Sequence, residues 1–477
     1  MNLDQDAVSS FNWVGLSTVV NAFVQLAQVA LLARFLTSTE FGMMALIQIV
    51  VTFSTFFLDM GFSNAVIQKQ DVTHRQLTGL YWLNIAVGII TFLAIYSLSP
   101  FIANVFDSQS ISSLIKVAAA SFLIVPFGQL YRVILQKELK FRMLAVTDMI
   151  ATGAALLCSL ALALQGYGVY SLVLAMLLNN AVITIGCMLV GVRHFVPSGP
   201  FSLDDLRSFY GFGLFQTGEK VINYFGAQVD KLIIGRYLGM DALGLYNMAW
   251  NIIIFPILRI NPVFTQVAFP IFSKIQNMPE QLNRYYGKML SMIMLINFPL
   301  MAGLFLSADE IVRLFYGPGW ERTAPIIRIL AAAGLLKSFA NPGWTVILAK
   351  GRADVGFYLN IVWVFLIGAI SYPAARSGSL NAVAYGQTAA TLLIGLAWHS
   401  LVIKYGEISY RSFLPSILKT ALMTAGMSFV VYLLGHLVEL STIQSLVTKI
   451  MIGLLTYGSL LFYFDRESFD LIRRRGY

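Results

Sequence analysis

Gln216, Glu219, Lys220, Asn223 and Asp230 fall within an otherwise apolar stretch at residues 208–235. At 3.6 residues per turn they occupy about a third of a helix's circumference, which is enough for one polar face. Ser17, Asn21, Gln25 and Gln28 form a weaker stripe near the N-terminus. Gln48, Thr52, Thr55 and Asp59 make another, at i, i+4, i+7 and i+11. Carboxylates, ammonium groups and amides arranged this way can wall a hydrated cavity that binds a polar ligand. They can also hydrogen-bond between packed helices. Both readings stand for the uncharged residues. For the charged ones the cavity is the expectation, because adhesion between helices rarely needs a full charge.

The sign of the charge narrows the chemistry. Lys116, Arg132, Lys220, Lys231, Arg259, Arg328, Lys337, Lys419 and Lys449 lie within or near the ends of apolar runs, against Asp59, Asp148, Glu219 and Asp230. Lys419 and Lys449 stand where a long stem lets the ammonium reach the bilayer surface. Lys220, Arg259 and Lys337 stand deepest and have no such escape. The interior is mixed but leans basic, which suits an anionic group such as a pyrophosphate: arginine offers forked donors and lysine a point charge. The candidate binding residues are therefore Lys220, Arg259, Lys337, Glu219, Asn223, Asp230, Gln216, Asp59 and Asn21, with Lys116 and Arg328 as a basic pair toward the outer side. The alternative is that Glu219 or Asp230 simply neutralises a basic neighbour across helices.

Signatures of catalysis are missing from the sequence. There is no GxxxxGK[ST], GxSxG or HExxH, and Gly211-Phe212-Gly213 is too short for a dinucleotide loop. Cys158 and Cys187 lie in separate apolar segments, and His74, His194, His399 and His436 are scattered. No cofactor, metal site or disulfide framework is expected.

The elements that position these residues follow from composition. Of 477 residues 58% are hydrophobic and 12% charged, whereas a soluble domain carries about 25% charged residues. Fourteen apolar runs recur, near 10–33, 42–66, 77–99, 112–136, 143–164, 169–192, 208–235, 243–270, 287–306, 324–348, 355–373, 380–403, 412–434 and 446–464. Each is about the length a bilayer needs, and only helices or closed barrels satisfy every backbone group in lipid. The runs lack strict alternation, so the fold class is all-α, a polytopic membrane protein of about 14 transmembrane helices. The acidic start MNLDQDAVSS is unlike the basic first region of a cleavable signal.

A net charge of +9 would suggest nucleic acid in a soluble chain, but here it reflects basic residues gathering in cytoplasmic loops. With the N-terminus inside, the inner loops hold Lys69, Arg75, Lys137, Lys140, Arg142, Arg193, Arg207, Lys274, Arg284, Lys288, Lys350, Arg352, Lys404, Arg411, Arg466 and Arg473–Arg475. The outer loops hold Arg34, Arg236, Arg313, Arg322 and Arg376. Both termini are therefore expected in the cytoplasm.

The chain also repeats itself. Arg34-Phe35-Leu36 before Glu40, Phe41 and Gly42 parallels Arg236-Tyr237-Leu238 before Asp241, Leu243 and Gly244, about 202 residues on. Leu98-Ser99 with Phe106 parallels Leu306-Ser307 with Phe315, and Ile115-Lys116 before Ala118–Ala120 parallels Ile327-Arg328 before Ala331–Ala333. Under the same offset Asn21 matches Asn223 and Gln28 matches Asp230. The expected organisation is two pseudo-symmetric six-helix lobes, residues 1–200 and 201–405, followed by two added helices and a basic tail at 406–477. Transporters built from such repeats place the substrate site between them.

Several stretches carry a family resemblance. Ala33-Arg34-Phe35-Leu36 through Glu40-Phe41-Gly42, Leu58-Asp59-Met60-Gly61-Phe62 and Ala65-Val66-Ile67-Gln68-Lys69 resemble polysaccharide-unit flippases of the Wzx type. So do Tyr81-Trp82-Leu83-Asn84, Leu135-Gln136-Lys137-Glu138-Leu139, Ile222-Asn223-Tyr224, Gly244-Leu245-Tyr246-Asn247, Phe269-Pro270 and Gly317-Pro318-Gly319-Trp320. These flippases belong to the multidrug/oligosaccharidyl-lipid/polysaccharide exporter superfamily, and within it the sequence most resembles the colanic-acid exporter branch. The resemblance implies two helical lobes and alternating access in the bacterial inner membrane. It also implies export of an undecaprenyl-pyrophosphate-linked repeat unit, with a polysaccharide polymerase and a chain-length regulator as partners beside the membrane lipids. It carries no site residue over, because the family has no universal catalytic signature. Two rivals stand beside it. A cation-coupled drug exporter of the same superfamily needs an acidic cavity, and a membrane polymerase needs a sizeable outer loop or an acidic catalytic cluster.

The charge bias places the junction at 193–207 inside. A cysteine at Ser198 in intact cells is expected to resist a membrane-impermeant thiol reagent and to react once the membrane is opened; strong labelling of intact cells would contradict this topology.

Overall fold

The computed structural model describes residues 3–59, 62–69, 71–200, 207–340, 342–437 and 441–466. Among the described residues every regular element is helical. Tracts with too little charge to stay in water bond their own backbone i to i−4, the one local solution that leaves no amide bare in lipid.

The chain divides into two compact units, Met1–Gln228 with Gly239–Gly244, and Val229–Leu238 with Leu245–Tyr477. The first unit holds α1 (Leu3–Leu32), α2 (Ser38–Asp59), α3 (Phe62–Gln68), α4 (His74–Val105), α5 (Gln109–Ala119), α6 (Ser121–Lys137), α7 (Phe141–Leu164) and α8 (Tyr170–Gly191). The long α9 (Arg207–Tyr237) starts in the first unit and finishes in the second. The opening of α10 (Gly239–Lys274) belongs to the first unit, and its remainder to the second. The second unit continues with α11 (Pro279–Leu306), α12 (Ala308–Ile311), α13 (Thr323–Ala340), α14 (Gly343–Ala349), α15 (Ala353–Arg376), α16 (Leu380–Gly406), α17 (Leu414–Leu437) and α18 (Thr442–Phe464).

Thirteen helical segments among the described residues are long and apolar enough to cross a membrane. Two of them, Gln109–Lys137 and Thr323–Ala349, each join two helices. The sequence reading gives fourteen spans, and the difference is α9. At 31 residues it is about 46 Å long by its rise of 1.5 Å per residue, ample to span. Glu219, Lys220, Asp230 and Lys231 make it too polar to qualify on composition alone.

Large apolar side chains face outward all round, among them Phe23, Leu157, Leu189, Phe365, Leu422 and Tyr463. In water such a surface would aggregate, and in a bilayer it is solvated. Inside, aromatic and aliphatic cores close each unit. Tyr81, Tyr131, Leu135, Cys187 and Phe195 pack together in the first, and Phe272, Tyr286, Met294, Ile347 and Val402 in the second.

The added helices α17 and α18 are fastened to the second unit by polar bonds. The Tyr457 hydroxyl donates to the Leu295 carbonyl at 2.9 Å. Lys449 bonds Glu310 at 2.5 Å and the Leu306 carbonyl at 3.0 Å. The sequence reading sends the Lys449 ammonium to the bilayer surface. The structure instead holds it in an ion pair whose two side chains are 17% and 15% exposed, because Glu310 offers the charge a partner close by. Lys419 likewise meets Asp465 at 3.6 Å.

The duplicated segments meet each other. A Cβ added to Gly42 would strike the Met240 carbonyl and lie 3.0 Å from the Gly244 nitrogen; one added to Gly244 would strike the Ser38 carbonyl and lie 3.0 Å from the Gly42 nitrogen. Ser38 and Met240, like Gly42 and Gly244, are 202 residues apart. The contact is reciprocal, as equivalent segments facing across a two-fold operation must be. Ser38 also donates a short hydrogen bond to Asp241. Gly42→Ala or Gly244→Ala is expected to destabilise the purified protein by about 1–3 kcal/mol, the usual overpacking cost. Gly153→Ala, where a Cβ meets nothing within 4 Å, should be neutral or slightly stabilising. Thermal melts read the difference, and equal behaviour at Gly42 and Gly153 would contradict the close approach.

Candidate functional site

In the first unit the charged residues gather where α2 ends. Asp59 accepts from Lys220 of α9 at 3.2 Å, from the Gln129 amide of α6 at 3.3 Å, and from the Ser63 hydroxyl. The Asp59 side chain is 22% exposed and that of Lys220 37%. The pair is thus neither sealed nor free, and its Coulomb gain is partly screened. An aromatic seam fixes α9 here. The Tyr224 hydroxyl donates to the Ile49 carbonyl at 3.3 Å, its ring meets Phe56 edge-on at 5.3 Å, and Phe225 meets Phe53 at 5.0 Å.

A second ion pair lies nearby in sequence. Arg132 of α6 forks onto Asp148 of α7 with two bonds of 2.8 Å, matching guanidinium to carboxylate bidentately. Asn21 is half-buried on α1, and its side-chain oxygen has no hydrogen-bond partner among the described residues. Gln28 reaches Ser159 of α7 at 2.9 Å, a bond between helices. Lys116 of α5 lies 5.2 Å from the centre of the Tyr96 ring.

The second unit has a more deeply buried cluster. Asp230 is 4% exposed. It accepts from the Tyr246 hydroxyl of α10 at 2.6 Å and from the backbone N–H of Lys231 at 2.8 Å. The Lys231 ammonium donates to the Asn247 amide oxygen at 2.8 Å. Tyr246 and Trp250, one helical turn apart and so on one face of α10, stack nearly parallel with centroids 6.5 Å apart. On the Trp250 ring rests Lys337 of α13, its ammonium 5.3 Å from the centroid. The cluster thus brings one carboxylate, Asp230, together with two amines, those of Lys231 and Lys337. Among the described residues no carboxylate lies within 4.0 Å of the Lys337 ammonium. Arg259, exposed and midway along α10, has its guanidinium 5.5 Å from the Phe255 ring centre. Arg328 is paired with Asp309.

The sequence stripe on α9 is therefore shared out. Lys220 and Asn223 belong to the first unit, with Asn223 exposed, and Asp230 is buried in the second. The side chains of Gln216 and Glu219 lie outside the described residues. Lys337 comes close to Asp230 although 107 positions separate them. Tyr246, Asn247 and Trp250, the groups that hold this cluster, were not singled out by polarity or charge. Tyr246 and Asn247 do stand in one of the stretches that carry the family resemblance, Gly244 to Asn247.

Comparison with known proteins adds to this geometry. Over its whole length the chain is 32% identical to the teichuronic acid biosynthesis protein TuaB of Bacillus subtilis (strain 168), covering 99% of that protein. It is 31% identical to the lipopolysaccharide biosynthesis protein WzxC of Escherichia coli (strain K12), across 87% of this chain and 85% of that one. A solved structure of the lipid II flippase MurJ in an inward closed conformation shares the fold, with a TM-score of 0.79 over 96% of this chain and 99% of that one at 16% identity. Residues 31–325 match the polysaccharide biosynthesis protein family. With thirteen candidate spans and relatives along its full length, this multi-pass membrane chain belongs to the polysaccharide biosynthesis protein family.

Proposed function

We propose that the protein is a flippase for a lipid-linked oligosaccharide, carrying an undecaprenyl-pyrophosphate-linked repeat unit across the bacterial inner membrane by alternating access. The product would feed exopolysaccharide, capsule or O-antigen synthesis. The relatives support the glycan, since their names place them in teichuronic acid and lipopolysaccharide biosynthesis. The observation that carries the reading is the placement of two amines, Lys231 and Lys337, around the carboxylate of Asp230, with no carboxylate among the described residues within 4.0 Å of Lys337. A bare ammonium at membrane depth is costly, and the ring of Trp250 offsets only part of that. An anionic head group passing through would supply the missing partner.

In this mechanism the polyprenyl tail stays in lipid while the sugar–pyrophosphate head crosses. In the second unit Lys337 and Arg259 offer a point charge and a fork to the pyrophosphate. In the first unit Lys220 rests against its counter-ion Asp59 and offers a point charge when that pair opens. Tyr246 keeps Asp230 in place and thereby sets how much of the charge on Lys337 is left for the substrate. No bond is made or broken, so the protein acts as a transporter and not an enzyme. Both termini lie in the cytoplasm, and the released unit passes to a polymerase and chain-length regulator. A cationic drug would be repelled by the same lysine and arginine side chains, which counts against the drug-exporter reading.

Deleting the gene is expected to leave lipid-linked repeat units in the cytoplasmic leaflet, read by mass spectrometry after selective surface labelling; unpolymerised units accumulating outside would point to a polymerase instead. In the complemented strain Lys337→Gln and Arg259→Gln should each lower glycan export at least about tenfold, the order expected when a charge-assisted contact worth about 1.5–3 kcal/mol is lost. Protein level should be unchanged, and Arg259→Lys should keep part of the activity because the charge survives without the fork. Stable and fully active Gln variants would remove the anionic mechanism.

A further inference from the structure

In the first unit the Asp59 carboxylate sorts its donors by charge. Its Oδ2 takes the Lys220 ammonium at 3.2 Å. Its Oδ1 takes two neutral donors, the Gln129 amide at 3.3 Å and the Ser63 hydroxyl. When Lys220 leaves, Oδ1 stays satisfied and Oδ2 alone is bared. Gln129 has to turn its NH2 group toward the carboxylate, which only accepts. Its Oε1 is then left for another donor; it is buried and has no hydrogen-bond partner among the described residues. A buried acceptor of this kind is rare unless a donor comes to it. Arg132, one turn farther along α6, cannot stand in for Lys220, because its two forked nitrogens hold Asp148 at 2.8 Å. Phe56 lies one turn before Asp59 on α2, and Tyr224 one turn after Lys220 on α9. Both rings are half-buried, and they meet edge-on at 5.3 Å.

We infer that this cluster is a subsite for the sugar bonded directly to the pyrophosphate, and that this sugar opens the ion pair by exchanging partners with it. A bare pyrophosphate draws Lys220 away only by stranding the carboxylate, and Asp59 repels its charge as well. A pyranose on the same phosphate removes that cost. The pyrophosphate takes the ammonium, while the hydroxyl at the carbon beside the phosphate-bearing one donates to Asp59 Oδ2. A further hydroxyl donates to Gln129 Oε1. Each charged group thus exchanges one partner for another, and none is left bare where water is scarce. Phe56 and Tyr224 offer apolar ring surface to the C–H face of the sugar. The subsite therefore takes a neutral, hydroxyl-bearing first sugar and turns away a uronic acid, whose carboxylate would meet Asp59.

The inference rests on the flippase reading and adds a recognition step to it. Side chains that are 22% and 37% exposed leave Asp59 and Lys220 within reach of a ligand. The lipid-linked unit carries both halves of the exchange, so a lipid pyrophosphate without its sugar opens the pair poorly.

The test uses the purified full-length protein and native mass spectrometry, which counts bound lipid directly. The probes are undecaprenol, undecaprenyl pyrophosphate, undecaprenyl-pyrophosphoryl-glucose and the 2-deoxyglucose analogue of the last. The glucosyl lipid should bind at least about tenfold more tightly than the bare pyrophosphate, the order set by a hydrogen bond to a charged group. The 2-deoxy analogue should lose most of that gain in the wild type. In D59N no carboxylate is stranded, so the bare pyrophosphate should bind at least as well as to the wild type, while the gain from glucose shrinks to about threefold or less. In D59N shown to be folded by circular dichroism, equal weakening of both lipids would mark a structural role and overturn the inference. So would equal binding of the glucosyl lipid and the bare pyrophosphate to the wild type, or an undiminished gain in the 2-deoxy analogue. The 2-deoxy comparison needs no substitution and decides the matter even where D59N fails to fold. A gain seen only with sodium present would assign the carboxylate to a metal cation and likewise overturn the inference. Binding of neither pyrophosphate lipid above undecaprenol would overturn the flippase reading itself.

Discussion

Lipid offers neither hydrogen bonds nor screening, and that absence governs every polar group in this chain. The backbone meets it by folding its apolar tracts into helices, which make up every regular element among the described residues. The side chains meet it by pairing: Lys220 with Asp59, Arg132 with Asp148, and Lys449 with Glu310. These pairs hold helices together, and in water most would be worth little. Among the described residues Lys337 and Arg259 depart from this rule, each set against an aromatic ring and with no carboxylate within 4.0 Å. Deep cations without a fixed carboxylate leave a place for an anion that arrives and departs.

The duplication gives the architecture its economy. One segment, used twice, brings Gly42 and Gly244 against each other's backbones. Only glycine lets two helices approach so closely, and the same pair can occur once because each copy supplies half of the contact. The helix that follows the first copy, α2, ends at Asp59, and the one that follows the second, α10, carries Tyr246 and Trp250. Both copies thus lead directly into the residues that hold the charged clusters.

Much of this was legible in the sequence, and the parts that were not have physical reasons. The runs of apolar residues show the spans because length and hydropathy decide them. The polarity of α9 shows because Lys220, Asn223 and Asp230 recur with helical period. Periodicity reports a face but not what covers it. It could not tell that Asp230 lies under Tyr246, or that Asn223 stays exposed. The break between α5 and α6 is hidden because Ala118–Ala120 carry the apolar run up to it, whereas Pro342-Gly343 mark the one between α13 and α14. Lys449 near a span end looked able to reach the surface, yet a half-buried partner 139 positions earlier decides its place. Pairings across such distances are set by packing, which no local pattern records.

The central claim is that the charge on Lys337 waits for an anionic lipid head. Its most direct test is thermal stabilisation of the purified protein in nanodiscs by a polyprenyl pyrophosphate, with the polyprenyl alcohol of equal length as control. The pyrophosphate should raise the melting midpoint of the wild type well beyond the alcohol, through binding to the folded state alone. In Lys337→Met the two lipids should give the same small shift. Equal shifts in the wild type, or an undiminished pyrophosphate effect in Lys337→Met, would contradict the account.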